Sequence, residues 1–401
     1  MWEQIRSNRI RSAILVIGMG ILLFLIGYFL GLYLFDSGTG GLIIAIILWA
    51  IMTLIAYFEG DSILLASAGA KKITHDDHPR LYNIVEEMRI ASGLPKTPDI
   101  YIIDDPALNA FATGRDPNKA AVAITSGLLQ QLNRDELQGV MAHEISHIKN
   151  RDVLLMAMTS VLLGTIVMIS WYGSRIMMYG GGGSKRNSSS GGAAQGIIML
   201  IAFFLIILAP IFAQLIYFAI SRKREYLADA SAALYTRYPE GLASALEKIG
   251  ASSGQLKSAN QATAPMYIVN PFRKKGKAAT DWSSTHPPIS ERIRILRAMG
   301  GSASFAAYDN AYRSMHKGKG VIPASSMSLT GAEYPAVRRV SEADDPDRLE
   351  RTRETSNVMW KLSNYQTIDC PCGTKLRIPP NFGEKKIECP HCGRVHTIQN
   401  K

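Results

Sequence analysis

The first 369 residues contain no cysteine. No disulfide can hold that part of the chain together, so a disulfide scaffold is excluded for it. Charge is sparse as well, with Asp, Glu, Lys and Arg at 19% of 401 residues. The sparseness is uneven: four long stretches are almost free of charge, and the rest is polar and basic. The net charge of +11 raises nucleic acid as a partner. Membrane proteins keep Lys and Arg in their cytoplasmic loops, which accounts for the excess without one. No internal repeat is visible.

A bilayer-spanning helix needs about 20 apolar residues. Four segments qualify: Ser12–Phe35, Gly41–Phe58, Val153–Gly173 and Gly196–Ile220, the last with a kink expected at Pro210. The first is too long for a signal-peptide core and no small-residue cleavage site follows it, so it reads as a retained anchor. Arg6, Arg9 and Arg11 precede it, Lys71, Lys72 and Arg80 follow the second, and Arg222, Lys223 and Arg224 follow the fourth. The hairpin loop 36–40 has no positive charge. This asymmetry places both termini in the cytoplasm, although Arg175, Lys185 and Arg186 between spans three and four run against it.

Between spans two and three, His78–Ser92 reads as an amphipathic helix stopped by Gly93. Asp99–Asp104, Leu108–Thr113 and Ala120–Thr125 read as strands. Asn133 with Glu136 has capping-box spacing, and the helix it opens meets no breaker before Gly164. It is expected to run straight into the third span.

On that helix lies His143-Glu144-Ile145-Ser146-His147. Positions i and i+4 share a face, so two imidazoles can hold one zinc, and the glutamate between them can take a proton from an activated water. Two solvated histidines are the plain alternative, and apolar Val140, Met141 and Ile148 argue against it. A catalytic zinc needs a third protein ligand. His147 lies about 9 Å of helix before the third span and Glu225 about 7.5 Å after the fourth, so a helical hairpin brings both to one depth. A surface carboxylate paired with Arg or Lys is the alternative for Glu225. Asp229, one turn on, shares its face and could accept a bond from a ligand histidine.

Four motifs in order, Asn109–Ala112 (NAFA), His143–Asp152 (HEISHIKNRD), Ser221–Ala230 (SRKREYLADA) and Thr285–Ile295 (THPPISERIRI), resemble the HtpX-like membrane zinc metalloproteases, relatives of the CAAX prenyl endopeptidases. The resemblance runs to about residue 300. It implies zinc ligands His143, His147 and Glu225, with Glu144 as general base. It also implies an endopeptidase for misfolded or damaged membrane proteins, in a bacterial inner membrane. By the same resemblance Asn109 lies in a strand along the cleft that pairs with extended substrate, and His286 stabilises the oxyanion. A structural strand and a packed helix-start histidine are the plain alternatives.

All four cysteines fall in Cys370-Pro371-Cys372-Gly373 and Cys389-Pro390-His391-Cys392-Gly393. Two such knuckles can close a tetrahedral structural zinc site; a redox pair or unpaired thiols are the alternatives. The first knuckle is one residue shorter than zinc ribbons often have.

The expected fold is a mainly α-helical membrane protein: four transmembrane helices, a zincin-like (gluzincin) α+β catalytic domain and a small C-terminal zinc ribbon. The domains are 1–60, a transmembrane hairpin; 61–300, the metalloprotease domain with spans 153–173 and 196–220; 301–365, a polar linker; and 366–401, the ribbon. The expected cofactors are one catalytic and one structural zinc. Polypeptides, membrane proteins above all, and the lipid bilayer are the expected partners, with the ribbon's own partner unassigned. The ribbon has only Phe382 as an aromatic, so a nucleic-acid role is not expected. A catalytically idle scaffold or chaperone of the same fold is the remaining rival.

Overall fold

The computed structural model describes residues 2–179, 222–252, 286–300, 302–323 and 345–398, with 197, 200, 201, 203–211, 256, 267, 268 and 327. Helices α1 (Trp2–Phe35) and α2 (Gly38–Ser67) form a hairpin whose turn is fixed by Ser37, the N-cap of α2, accepting from Gly40 N at 3.1 Å. A Cβ on Gly31 would lie 2.6 Å from the Cα of Gly41, so glycine is what lets the two backbones approach. Ile43, Ile47, Ile51 and Leu54 face outward, as lipid-facing side chains do.

Three described helices are long and apolar enough to cross a membrane: Val16–Tyr33, Gly38–Ser67 and Asp152–Arg175. The expected fourth span, 196–220, lies largely outside the described residues. Its residues 203–211 are helical, and Ile206 and Ala209 pack with Met19, Leu22, Leu163 and Ile166.

After α2 come β1 (Lys71–Ile73), α3 (Pro79–Ser92), β2 (Asp99–Ile103), β3 (Ala110–Asp116), β4 (Lys119–Thr125) and the short α4 (Ser126–Gln131). The sheet order is β1-β2-β4-β3, with only the β2–β4 pair parallel, so β3 is an edge strand. His78, read from sequence as the first residue of this helix, is its N-cap: its Nδ1 accepts from Leu81 N at 3.3 Å. Gly93 closes the helix at φ 66°, in the left-handed region glycine tolerates.

Helix α5 (Arg134–Lys149) starts with the expected capping box, Asn133 and Glu136 bonding each other's backbone at 2.9 Å. It is buried all round from Glu136 to Ile148, against α3, β3 and two later helices, α7 (Arg222–Thr236) and α8 (Pro239–Ala251). A Cβ on Gly139 would sit 2.6 Å from Leu242 N, so α5 and α8 touch backbone to backbone there.

The expected continuous helix into the third span is corrected by the structure. Asn150 ends α5, Arg151 turns at φ 58°, and α6 (Asp152–Tyr179) starts afresh. The break aims the Asp152 carboxylate back at His147, a contact an unbroken helix would not make at five residues' separation.

Beyond α9 (Ile289–Arg297), the stretch read as a linker contains two helices, α10 (Phe305–Met315) and α11 (Arg348–Leu362). They pack on the main core through apolar residues, Phe305, Tyr308, Ala311, Tyr312 and Met315 of α10 and Val358, Met359 and Leu362 of α11, and polar contacts add to these. Asp309 of α10 accepts from Val321 N and Ile322 N at 2.7 and 2.9 Å. Arg351 of α11 donates to Gln130 O at 3.3 Å, and Lys71 donates to Leu362 O at 3.2 Å. The chain then forms two hairpins, β5 (Gln366–Asp369) with β6 (Lys375–Ile378) and β7 (Lys386–Glu388) with β8 (Val395–Thr397).

Candidate metal centre and active site

Helix α5 buries four consecutive-turn polar groups, His143, Glu144, Ser146 and His147, and polar groups removed from water need partners. Ser146 Oγ donates to the His143 carbonyl at 2.7 Å, inside the helix. The two imidazoles turn their Nε2 atoms toward each other at 3.3 Å. Glu225, from α7, completes the convergence: Oε2 is 3.5 Å from His143 Nε2 and Oε1 is 3.6 Å from His147 Nε2. Two nitrogens on one tetrahedral zinc lie roughly 3.3 Å apart, so the donor set suits that ion. Glu225 Oε2 is buried and accepts no hydrogen bond among the described residues, as a metal-ligand oxygen would be left.

The outer nitrogens are also held. His143 Nδ1 is 3.0 Å from Asp229 Oδ1 and His147 Nδ1 is 3.2 Å from Asp152 Oδ2. Carboxylates there fix each ring's orientation and tautomer, leaving Nε2 free for a metal. Asp229 is legible in the sequence; Asp152 stands there only as the last residue of the HEISHIKNRD motif. A carboxylate opening an otherwise apolar span was its signal.

Arg292 was missed. It is fully buried on α9 and grips Asp229 with two nitrogens, Nε to Oδ2 at 2.8 Å and Nη2 to Oδ1 at 2.7 Å. Its sequence signal is position: it occupies the apolar stripe of α9, three residues after Ile289 and four before Leu296. Burial opposes the charge on Asp229, but Arg292 and His143 outweigh it and hold the carboxyl below its ordinary range.

Glu144 is 1% exposed, and its Oε1 accepts no hydrogen bond among the described residues. Burial raises its carboxyl above the ordinary range against the pull of His143 and His147, toward what a proton carrier needs. His286 reaches the cluster from the start of α9, with Nε2 3.7 Å from Glu225 Oε2. Burial pushes its ring down to about 4, so it is uncharged at neutral pH. Asn109 immediately precedes β3, its carbonyl accepts from Thr125 N at 3.0 Å, and its Oδ1 accepts from Ala110 N at 3.1 Å.

The four cysteine sulfurs also converge, each offering an atom within 4.8 Å of the others. Cys370 and Cys392 are 3.5 Å apart and Cys372 and Cys389 3.7 Å. Disulfide sulfurs sit at about 2.05 Å, so these are free thiols. Thiolates on one zinc are roughly 3.8 Å apart. Gly373 and Gly393 take φ 86° and 71° to turn the knuckles, each donating its N–H to the first cysteine's carbonyl.

The chain is similar to known proteins over most of its length. The model of peptidase family M48 matches residues 75–300. A protease HtpX homolog of Dictyoglomus turgidum is 48% identical over 299 residues, covering 75% of this chain and 95% of its own. Those of Thermoanaerobacter pseudethanolicus and Streptococcus uberis are 43% and 40% identical, covering 75% of this chain and 98% and 100% of theirs. The crystal structure of S. mikatae Ste24p aligns over 74% of this chain and 67% of its own, at 22% identity and a TM-score of 0.41. With a buried two-histidine, one-glutamate cluster inside the matched stretch and apolar spans on either side of it, the chain belongs to peptidase family M48, among the membrane metalloproteases of the HtpX type.

Proposed function

We propose that His143, His147 and Glu225 hold a catalytic zinc, that Glu144 is the general base, and that the substrates are misfolded or damaged membrane proteins cut at the cytoplasmic face. The carrying observation is the convergence of three buried ligand groups within 4.8 Å, beside a buried Glu144 oxygen with no hydrogen bond among the described residues.

Zinc bound there supplies a Lewis acid that polarises a carbonyl and acidifies water. Glu144 takes the proton of the attacking water and returns it to the leaving amine nitrogen, its raised pKa bringing it closer to neutral working pH. The uncharged His286 ring donates an N–H to the oxygen where negative charge develops, with Asn109 as a second polar group at the cleft. Asp229 and Asp152 hold the ligand imidazoles in place throughout. An extended substrate pairs with the outer edge of β3, a mode that reads backbone more than side chains and suits a broad specificity.

The membrane assignment extends in the same way. We read 196–220 as a fourth span and place both termini, and the site, on the cytoplasmic side of a bacterial inner membrane, supported by the basic flanks of spans one, two and four. The proposed domains are 1–60, 61–300 and 366–401, joined by 301–365 with its two docked helices, and the cysteine module is a zinc ribbon holding a second, structural zinc.

Proteolysis of an unfolded model substrate by detergent-purified protein tests the assignment. Glu144→Gln should lose about a hundredfold or more of the rate while keeping its zinc. A zinc-loaded wild type that cleaves nothing would favour the idle scaffold.

A further inference from the structure

The metal cluster is closed. His143, Glu144, His147, Glu225 and His286 are each at most 7% exposed, and a polypeptide cannot reach them without displacing something. The outer edge of β3 is the expected landing place for that polypeptide. In an antiparallel pair, residues alternate between facing the partner strand and facing away. Asn109 bonds Thr125 across to β4, so the next residue, Ala110, turns its carbonyl outward.

That carbonyl is already taken. Ile268 N donates to Ala110 O at 3.0 Å, a single backbone bond on the side of β3 away from β4. On its other side Ile268 O accepts from Arg292 Nη1 at 3.3 Å, and the same nitrogen is 3.7 Å from Glu225 Oε2. Tyr267 stacks edge-on against Phe111 of β3 with ring centroids 5.2 Å apart. Both residues are at most 2% exposed. One dipeptide of the chain thus holds a sheet-edge acceptor at one end and a guanidinium touching the metal cluster at the other.

We infer that Tyr267–Ile268 is a resident occupant of the substrate edge, an internal pseudosubstrate that a polypeptide must displace before it is cut. The inference rests on the reading of β3 as the edge that pairs with substrate. Its chemistry also sets a preference: a substrate that replaces the dipeptide best brings an aromatic residue followed by an aliphatic one, to meet Phe111 and Ala110. An occupied edge lowers apparent affinity by the fraction of molecules in which it is free.

Kinetics of an unstructured fluorogenic peptide decide it, with wild type compared to Tyr267→Ala, which removes the ring, and Ile268→Pro, which removes the donated N–H. The KM should fall roughly five- to fiftyfold in either variant, with kcat little changed and zinc content intact. A KM that is unchanged or raised in folded, zinc-loaded variants overturns the inference. Should both variants fail to fold, hydrogen exchange on the full-length Glu144→Gln protein supplies the answer. Adding substrate should expose the Ile268 amide; undiminished protection with substrate bound overturns the inference. If no zinc-loaded form hydrolyses or binds the peptide, the reading of β3 as a substrate edge falls, and the inference with it.

Discussion

Arg292 and Asp229 form a two-nitrogen ion pair at 2.8 and 2.7 Å with neither side chain exposed, and Asp229 in turn bonds His143. A charge so deep is tolerable only while its partner is present. Arg292→Met is therefore expected to cost about 3–5 kcal/mol of unfolding free energy by removing the buried counter-ion of Asp229. The double variant with Asp229→Asn should lose less than the sum of the two single losses. Denaturant unfolding in detergent, run as a double-mutant cycle, measures this; additive losses would mean the pair is not coupled.

The two ligand clusters are separate, so their metals should be lost separately. Wild type is expected to hold about two zinc equivalents, and His147→Ala and Cys389→Ser about one each. Only the first variant should lose proteolysis through its site chemistry. Metal analysis beside an activity assay checks both, and a wild type with one equivalent would remove the structural zinc.

His78 carries a pH signature. Burial, helped by the Arg80 charge, pushes its ring down to about 4 from the ordinary 6.5. The fold therefore favours the neutral ring, while the unfolded chain binds a proton below 6.5. This contribution is complete above pH 6.5 and is lost as pH falls toward about 4, at roughly 1.4 kcal/mol per unit. His78→Asn keeps a capping oxygen without the titration, so its stability should depend less on pH across that window. Parallel slopes for the two proteins would exclude His78 as the source.

Gly139 is expected to tolerate no side chain. An added Cβ would meet the backbone of Leu242 at 2.6 and 2.8 Å, and backbone cannot swing aside. Gly139→Ala should cost about 1–3 kcal/mol. Because α5 carries His143 and His147, it should also weaken zinc binding. Melting temperature and zinc affinity together test this, and an unaltered protein would show that α8 can move.

Features set by short-range geometry could be read directly from residues. The i, i+4 histidines share a face on any helix, Asn133 and Glu136 cap within one turn, and three described spans fall where apolar length predicts them. The spacing of the two cysteine pairs was likewise legible, and the structure brings the four sulfurs within 4.8 Å of one another. Glu225 was within reach because the third span and the apolar run 196–220, read as a fourth, limited where it could emerge. What the tertiary structure alone decided lies at long range or against local preference. The turn at Asn150–Arg151 ends α5 ahead of Asp152 and lets that carboxylate meet His147. Arg292 meets Asp229 from 63 positions away, and Ile268 meets Ala110 from a separate segment of the chain. No periodicity encodes such pairs. They are chosen when buried charge and unpaired backbone groups must find partners in one closed core, a condition that only the folded arrangement can satisfy.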